Sequence, residues 1–430
     1  MTQDLRPKTQ DLKDMTGLAD CNNFFVSCER TLDPTLEGRA VVVLSNNDGC
    51  AIARSNEAKR LGVRMGQPAF ELRDMIMRGE LVALSGNHLL YRDISLRIHD
   101  IFRRFVPVTL DYSVDEAFLL MDGIPRTALP EIGAAICDAC WDEEHIPVTI
   151  GFAPTKTLAK VATEIGKKGG RRVVLLDDPV ETERVLASLP VYEMWGIGRR
   201  IAKRLYFNGV YTIGDFAAMD RIRVRGEFGV TGERSWRELH GEPCIELEHL
   251  ERKRQDSISE SRTFPVDIDD YDYLRSRMVI YSGHVARRLR AMGGECGALS
   301  VFLCTNRFHT ERGYHAPTAS TRFSPPVSDS AVIASAAVAL MESIFDPAYR
   351  YKRAGVVISD ITQAGVLAPT LFEDVEQRRQ ATLRSRKLME AIDRLNAAPG
   401  GGVVKLATEL TKGHIGHNDG YSSSFGPVKK

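Results

Sequence analysis

Apolar residues along the chain fall into short runs broken by Gly, Asn and Asp, and into longer stretches with helical spacing. Residues 105–110 and 117–121 are apolar runs rich in β-branched and aromatic side chains, the signature of buried strands. Residues 18–28 read as a short strand running into a helix, and residues 40–44 as a buried strand closed by a turn over residues 45–49. The pattern predicts helices over residues 51–61 (ended by Gly62), 89–104, 131–143 and 155–165, with a strand at 148–153. The helix at 155–165 gives way to Gly166-Lys167-Lys168-Gly169-Gly170, which leaves Lys167 beyond its end. Further on, strands are expected at 299–304 and 355–358, and helices at 273–292, 331–345 and 378–395. This order of strands and helices predicts an α+β chain.

Acids interrupt the apolar pattern at two places. Asp20 lies inside the first strand, where an unpaired buried carboxylate is costly. Asp115 and Glu116 lie between the apolar runs at 105–110 and 117–121. Strand side chains alternate faces, so these two neighbours act together only if the backbone turns or distorts between the strands. Two carboxylates at the end of a buried hairpin repel unless a cation lies between them. The plain alternative is an exposed turn with two solvated acids.

At 430 residues the chain exceeds one ordinary core, and roughly three to four units are expected. No apolar run approaches the ~18 residues of a membrane span, and the first residues have no secretory pattern. The eight cysteines are scattered; Cys137 and Cys140 have C-x-x-C spacing but no second pair, which argues against zinc. These features predict a cytoplasmic protein. The 57 basic and 57 acidic residues cancel, so a polyanion-binding surface has to be polarised. Two segments supply local cations. Asn56 and Lys59 share a helix face at i and i+3. Gly196-Ile197-Gly198 opens a helix with Arg199, Arg200, Lys203 and Arg204, a helix-hairpin-helix pattern whose glycines let backbone N–H groups approach a DNA phosphate.

Three acids, two candidate phosphate contacts and the lysine at 167 form a chemical set. Hard oxygen ligands suit Mg²⁺, and paired ions about 4 Å apart stabilise both oxygens of an in-line phosphoryl displacement. With a hairpin that grips a nucleic-acid backbone without reading sequence, the combination points to template-directed nucleotidyl transfer.

These residues resemble a known family. Asp20-Cys-Asn-Asn-Phe-Phe-Val-Ser-Cys-Glu29, the stretch from Val41 to Lys59, Tyr112-Ser-Val-Asp-Glu-Ala-Phe118 and Thr155-Lys-Thr-Leu-Ala-Lys160 are similar to motifs of Y-family translesion DNA polymerases, in the UmuC branch. The likeness runs from about residue 17 to 372; Ser259-Glu-Ser-Arg-Thr-Phe264 and Tyr351-Lys-Arg-Ala-Gly-Val356 carry it in the second half. It implies a right-hand polymerase: palm over 17–30 and 85–185, fingers over 31–84, a helix-hairpin-helix thumb over 186–245 and a little finger over 259–362. A flexible extension (1–16), a linker (246–258) and a tail (363–430) complete the division.

By position, Asp20, Asp115, Glu116 and the backbone carbonyl of Cys21 match metal ligands for two Mg²⁺ ions. Phe25 matches the steric gate against a 2′-hydroxyl, with Phe24 packed behind it. Asn56, Lys59 and Lys167 match triphosphate contacts, although many relatives carry tyrosine and arginine at the first two positions. Gly196, Gly198, Arg199, Arg200 and Lys203 match the DNA grip, and Leu371-Phe372 the sliding-clamp peptide, whose usual first glutamine is replaced here by Ala368. The resemblance implies an error-prone lesion-bypass polymerase of the SOS response. Its implied partners are primer-template DNA, deoxynucleoside triphosphates, a processed UmuD-like dimer, a recombinase filament and the sliding clamp. A catalytically weak DNA-binding subunit and a nucleotidyl cyclase are the alternatives.

Overall fold

The structure, a computed structural model, describes residues 14–45, 48–246, 255–308, 313–364, 375–397 and 404. It divides into two compact units, the first running to residue 251 and the second from 252 to 418.

The first unit begins with β1 (Thr16–Cys21), buried along its whole length, and α1 (Phe24–Leu32). Next come β2 (Val41–Leu44), β3 (Ala51–Arg54), α2 (Asn56–Arg60), α3 (Ala69–Met77) and β4 (Val82–Ser85). β2 pairs antiparallel with β3 and parallel with β4, a small sheet over its own core of Val42, Leu44, Val63, Leu72 and Leu81. The helix expected over residues 51–61 is therefore half strand. Ala51–Arg54 alternate in burial and pair with β2, and Ser55 then starts the helix: its hydroxyl accepts from the Ala58 amide (3.1 Å) and the Val41 amide (3.0 Å).

α4 (His88–Phe105) buries Leu90, Tyr91, Ile94, Ile98, Ile101 and Phe102 at three- and four-residue spacing. It leads into β5 (Val108–Asp111), β6 (Glu116–Leu120), α5 (Leu129–Glu144), β7 (Val148–Ala153), α6 (Lys156–Gly169) and β8 (Val173–Leu175). These strands form a five-stranded sheet in the order β5-β6-β1-β7-β8. β5 is an edge strand and only half-buried, so the first apolar flank is less enclosed than its composition suggests.

α6 lies close over this sheet because position 151 on β7 has no side chain: a Cβ there would stand 2.3 Å from the Thr163 backbone nitrogen. Thr163 Oγ1 also reaches the Leu18 carbonyl on β1 at 3.0 Å. The helix runs one turn further than its glycines suggest, to a left-handed cap at Gly170, so Lys167 lies on its last turn and not beyond it. α7 (Pro179–Ser188), α8 (Arg199–Phe207), α9 (Ile213–Ala217) and α10 (Arg221–Leu239) complete the unit. The fully buried Glu238 carboxylate accepts from the amides of Thr157 (2.8 Å), Cys244 (3.1 Å) and Ile245 (3.0 Å), tying the end of α10 to the start of α6.

The second unit comprises β9 (Ser257–Ile268), α11 (Tyr271–Ala291), β10 (Gly294–Thr305), β11 (Thr318–Val327), α12 (Ser330–Ile344), β12 (Tyr351–Gln363) and α13 (Val375–Ala397). Its antiparallel sheet, ordered β11-β10-β12-β9, is covered by α11 and α12 over Leu299, Val301, Leu303, Val356 and Ile358. α13, expected within the tail, is tied to this unit by a two-pronged Arg290–Asp393 ion pair (2.7 and 2.8 Å) and by Arg386–Glu295 (2.9 Å). No described helix is long and apolar enough to cross a membrane.

Candidate active site

The register of the five-stranded sheet builds the site. β1 and β6 pair antiparallel with Asp20 directly opposite Glu116. Asp115 is outside the strand, on the turn between β5 and β6, which removes the constraint of strand alternation. Ser113 shapes that turn: its hydroxyl accepts from the Asp115 and Glu116 amides (3.2 and 3.0 Å) and donates to Asp115 Oδ1 (2.5 Å). The Cys21 amide donates to the Asp115 carbonyl (2.9 Å), so β1 and the turn hold each other in place. The distortion expected from the sequence is this turn.

Cations from α6 face the acids. Lys167 Nζ is 2.5 Å from Asp20 Oδ2, and Lys160 Nζ is 2.9 Å from Glu116 Oε1. Asp20 is 7% exposed, and burial pushes its carboxyl up to about 7; Lys167 opposes the shift, while Glu116 and Asp115 add to it. Each acid is thus engaged by a different partner, and among the described residues no three His, Cys, Asp or Glu side chains converge tightly enough to hold a metal as they stand. The donor set still fits a hard divalent ion: the acids meet at one end of one sheet, they supply only oxygens, and Glu116 and Asp115 raise the proton affinity of Asp20.

Lys160 is absent from the sequence-derived set, although it ends one of the quoted motifs. Its seven-residue spacing from Lys167 would have placed both on one helix face had the helix been extended past 165. Lys160 Nζ also lies 4.6 Å from the centre of the Tyr112 ring and 5.4 Å from that of Trp195, and the Trp195 indole donates to the Tyr112 hydroxyl at 2.9 Å.

Asn56 and Lys59 come together as expected, with a partner the sequence reading passed over. Lys59 Nζ donates to Asn23 Oδ1 (2.6 Å) and Asn56 Oδ1 (3.4 Å), and Asn23 Nδ2 donates to Asn56 Oδ1 (3.1 Å). Asn23 precedes α1 in the left-handed conformation (φ 50°), which asparagine tolerates; an Asn-Asn pair before an apolar helix start is the signal for it. Partial burial pushes the Lys59 ammonium below its ordinary value, and the Arg54 and Lys167 cations add to the shift. Phe24 is buried, while Phe25 is half-buried and stacks on Tyr91.

The glycines at 196 and 198 lead into α8, where Arg199, Arg200 and Lys203 are exposed and form no ion pair among the described residues. Gly196 has φ +85°, the region glycine enters freely. Arg204 differs, donating to the Glu227 carbonyl on α10 (3.1 Å). Leu371 and Phe372 lie outside the described residues. Cys137 and Cys140 are buried free thiols.

Residues 19–164 match the impB/mucB/samB family, and residues 255–371 match the C-terminal domain of that family. The chain is 38% identical to protein UmuC of Salmonella typhimurium over 397 residues, which is 91% of this chain and 93% of that protein. It is 30% identical to DNA polymerase IV of Moorella thermoacetica, over 92% of this chain and 96% of the other. Among solved structures, a Y-family DNA polymerase chimera matches with a TM-score of 0.65 at 20% identity, covering 81% of this chain and 99% of that one. That likeness is one of fold, the α+β right-hand architecture.

Proposed function

The chain belongs to the impB/mucB/samB family of UmuC-like, Y-family DNA polymerases, and we propose that it extends primers past damaged template bases by two-metal nucleotidyl transfer in the SOS response. The observation that carries the proposal is the in-register Asp20–Glu116 pair with Asp115 on the adjoining turn. In this reading the five-stranded sheet is the palm, the β2–β4 sheet belongs to the fingers, α8 and α9 form the thumb hairpin, and the second unit supplies the little finger.

Asp20, Asp115, Glu116 and the Cys21 carbonyl would hold two Mg²⁺ ions, which when bound supply charge neutralisation at the triphosphate and activation of the primer hydroxyl. Before substrate arrives, Lys160 and Lys167 balance the carboxylates. Lys167 then shifts from Asp20 to the triphosphate, joined by Lys59, while Asn23 and Asn56 fix where the Lys59 ammonium points. Phe25 excludes a 2′-hydroxyl by contact beneath the sugar, and Phe24 packs behind it. Gly196, Gly198, Arg199, Arg200 and Lys203 hold the backbone of primer-template DNA. A processed UmuD-like dimer, a recombinase filament and the sliding clamp are the proposed protein partners, the last through Leu371 and Phe372.

The test is primer extension on undamaged and abasic templates with Mg²⁺, deoxynucleoside triphosphates and the partner proteins. Extension on both templates is expected, and Asp115→Ala/Glu116→Ala should reduce it by on the order of 10³-fold or more. Extension that survives the double substitution would refute the assignment of these acids, and no extension by the unaltered protein would refute the function.

A further inference from the structure

Phe25 does not stand alone. It and Glu29 lie one turn apart on α1, and both face Tyr91 on α4. The Phe25 and Tyr91 rings stack at 4.4 Å between centroids with 15° between planes. The Tyr91 hydroxyl donates to Glu29 Oε1 at 2.5 Å. Tyr91 is thus held at both ends by one helix, its ring by Phe25 and its hydroxyl by Glu29. His88 closes the remaining side, edge-on to Phe25 and to Tyr91 at 5.8 Å each.

The cost of this arrangement argues that it has a use. Glu29 is 2% exposed and forms no ion pair among the described residues, and burial raises its carboxyl above the ordinary value. The same burial, with Glu29 alongside, pushes the Tyr91 hydroxyl up as well. A leucine at 29 and a phenylalanine at 91 would fill this core without desolvating a carboxyl group. What the polar pair adds is an anchor: the hydrogen bond holds the far end of the tyrosine ring against tilt and slide, and the stacked Phe25 ring rests on a neighbour held in place.

We propose that Tyr91, locked by Glu29, is the positioning residue that sets the plane of Phe25 and thereby the discrimination between deoxyribose and ribose. The proposal rests on the reading of Phe25 as the steric gate. A phenyl ring free to tilt yields to the extra hydroxyl, whereas a ring clamped against a fixed neighbour does not. The gate is then a three-residue unit, of which only Phe25 needs to meet the nucleotide.

The experiment measures kcat/KM for incorporation of each deoxynucleotide and its ribonucleotide counterpart by the full chain with its partners. The variants are Phe25→Ala, Tyr91→Phe, Tyr91→Leu, Glu29→Leu and the double substitution Phe25→Ala/Tyr91→Leu. Tyr91→Leu should lower sugar discrimination by about tenfold to a hundredfold, the size expected of a small misplacement, through a gain in ribonucleotide use. Tyr91→Phe and Glu29→Leu, which keep the ring and remove the lock, should give a smaller loss of the same kind. Added to Phe25→Ala, Tyr91→Leu should have no further effect. If Phe25→Ala abolishes discrimination while Tyr91→Leu, Tyr91→Phe and Glu29→Leu all leave it within twofold, the clamp is refuted and the gate stands. If Phe25→Ala itself leaves discrimination unchanged, the gate is refuted and the clamp with it. Tyr91→Phe guards against misfolding of the leucine variants, because it deletes a single oxygen; unchanged discrimination in a folded Tyr91→Phe protein counts against the lock.

Discussion

Two helices of the first unit carry cations, and they use them in opposite ways. On α6, Lys160 points at the half-buried Glu116 and Lys167 at the buried Asp20, and both are spoken for before any substrate arrives. On α8, Arg199, Arg200 and Lys203 point into solvent with no acid among the described residues to meet them. The difference follows from what each helix covers. α6 lies flat against a sheet whose strands end in carboxylates, so its inward lysines neutralise a charge the fold has created. α8 packs by Ala202 and Leu205 and turns its remaining face outward. Paired cations stabilise a preformed site; unpaired ones are a standing invitation to a polyanion.

The largest effect is expected on α6. Lys167→Ala should lower kcat/KM for deoxynucleotides by roughly 10²-fold, the usual loss on removing one charge-stabilising donor, with DNA affinity little altered. Next, on the α8 side, Arg199→Ala/Arg200→Ala/Lys203→Ala should weaken primer-template binding at every sequence alike. It should also reduce the salt slope of log K by about 2 to 3, close to 0.9 per lost phosphate contact. An unaltered slope in a filter-binding or anisotropy titration would show that these cations never reach DNA.

A pH titration sharpens the contrast. The Asp20 carboxyl, raised to about 7, is protonated below that pH, and a divalent ion must displace the proton. Mg²⁺ activation should therefore be full above pH 7 and fall by up to about tenfold per unit below it. Because Lys167 holds that value down, Lys167→Ala should move the acid limb to higher pH. The same raised value means that the metal-free fold loses stability as pH rises from 3.8 through about 7, and Asp20→Asn should remove that loss. The smallest effect is expected at Glu238. Replacing it by alanine strands three amides and should cost about 2–3 kcal/mol, read as a lower Tm, by loosening the start of α6.

Much of the site was legible because its chemistry contradicts its surroundings. An aspartate within a buried strand and an acid pair between apolar runs stand out against the pattern, and the structure brings them to one end of one sheet. The helix boundaries were harder to read. Ala51–Arg54 has a composition that suits either helix or strand, and only its pairing with β2 decides. The extra turn of α6 was hidden by glycines that tertiary packing tolerates: Gly166 sits where a Cβ would meet Thr149 at 2.9 Å. That missing turn concealed Lys160 as a partner of Lys167. Tyr91 gave no sign at all, since a tyrosine on the buried face of an amphipathic helix reads as core, which it also is.

One bare position on β7 has a wider consequence. Because Gly151 sets how closely α6 approaches the sheet, and both lysines ride on that helix, their heights above the acids are a single mechanical variable. A side chain at 151 would lift Lys160 and Lys167 together, as one key lifts two levers. Divergence within this architecture can therefore change either lysine alone by substitution, and can change their common reach through Gly151, a residue on another element.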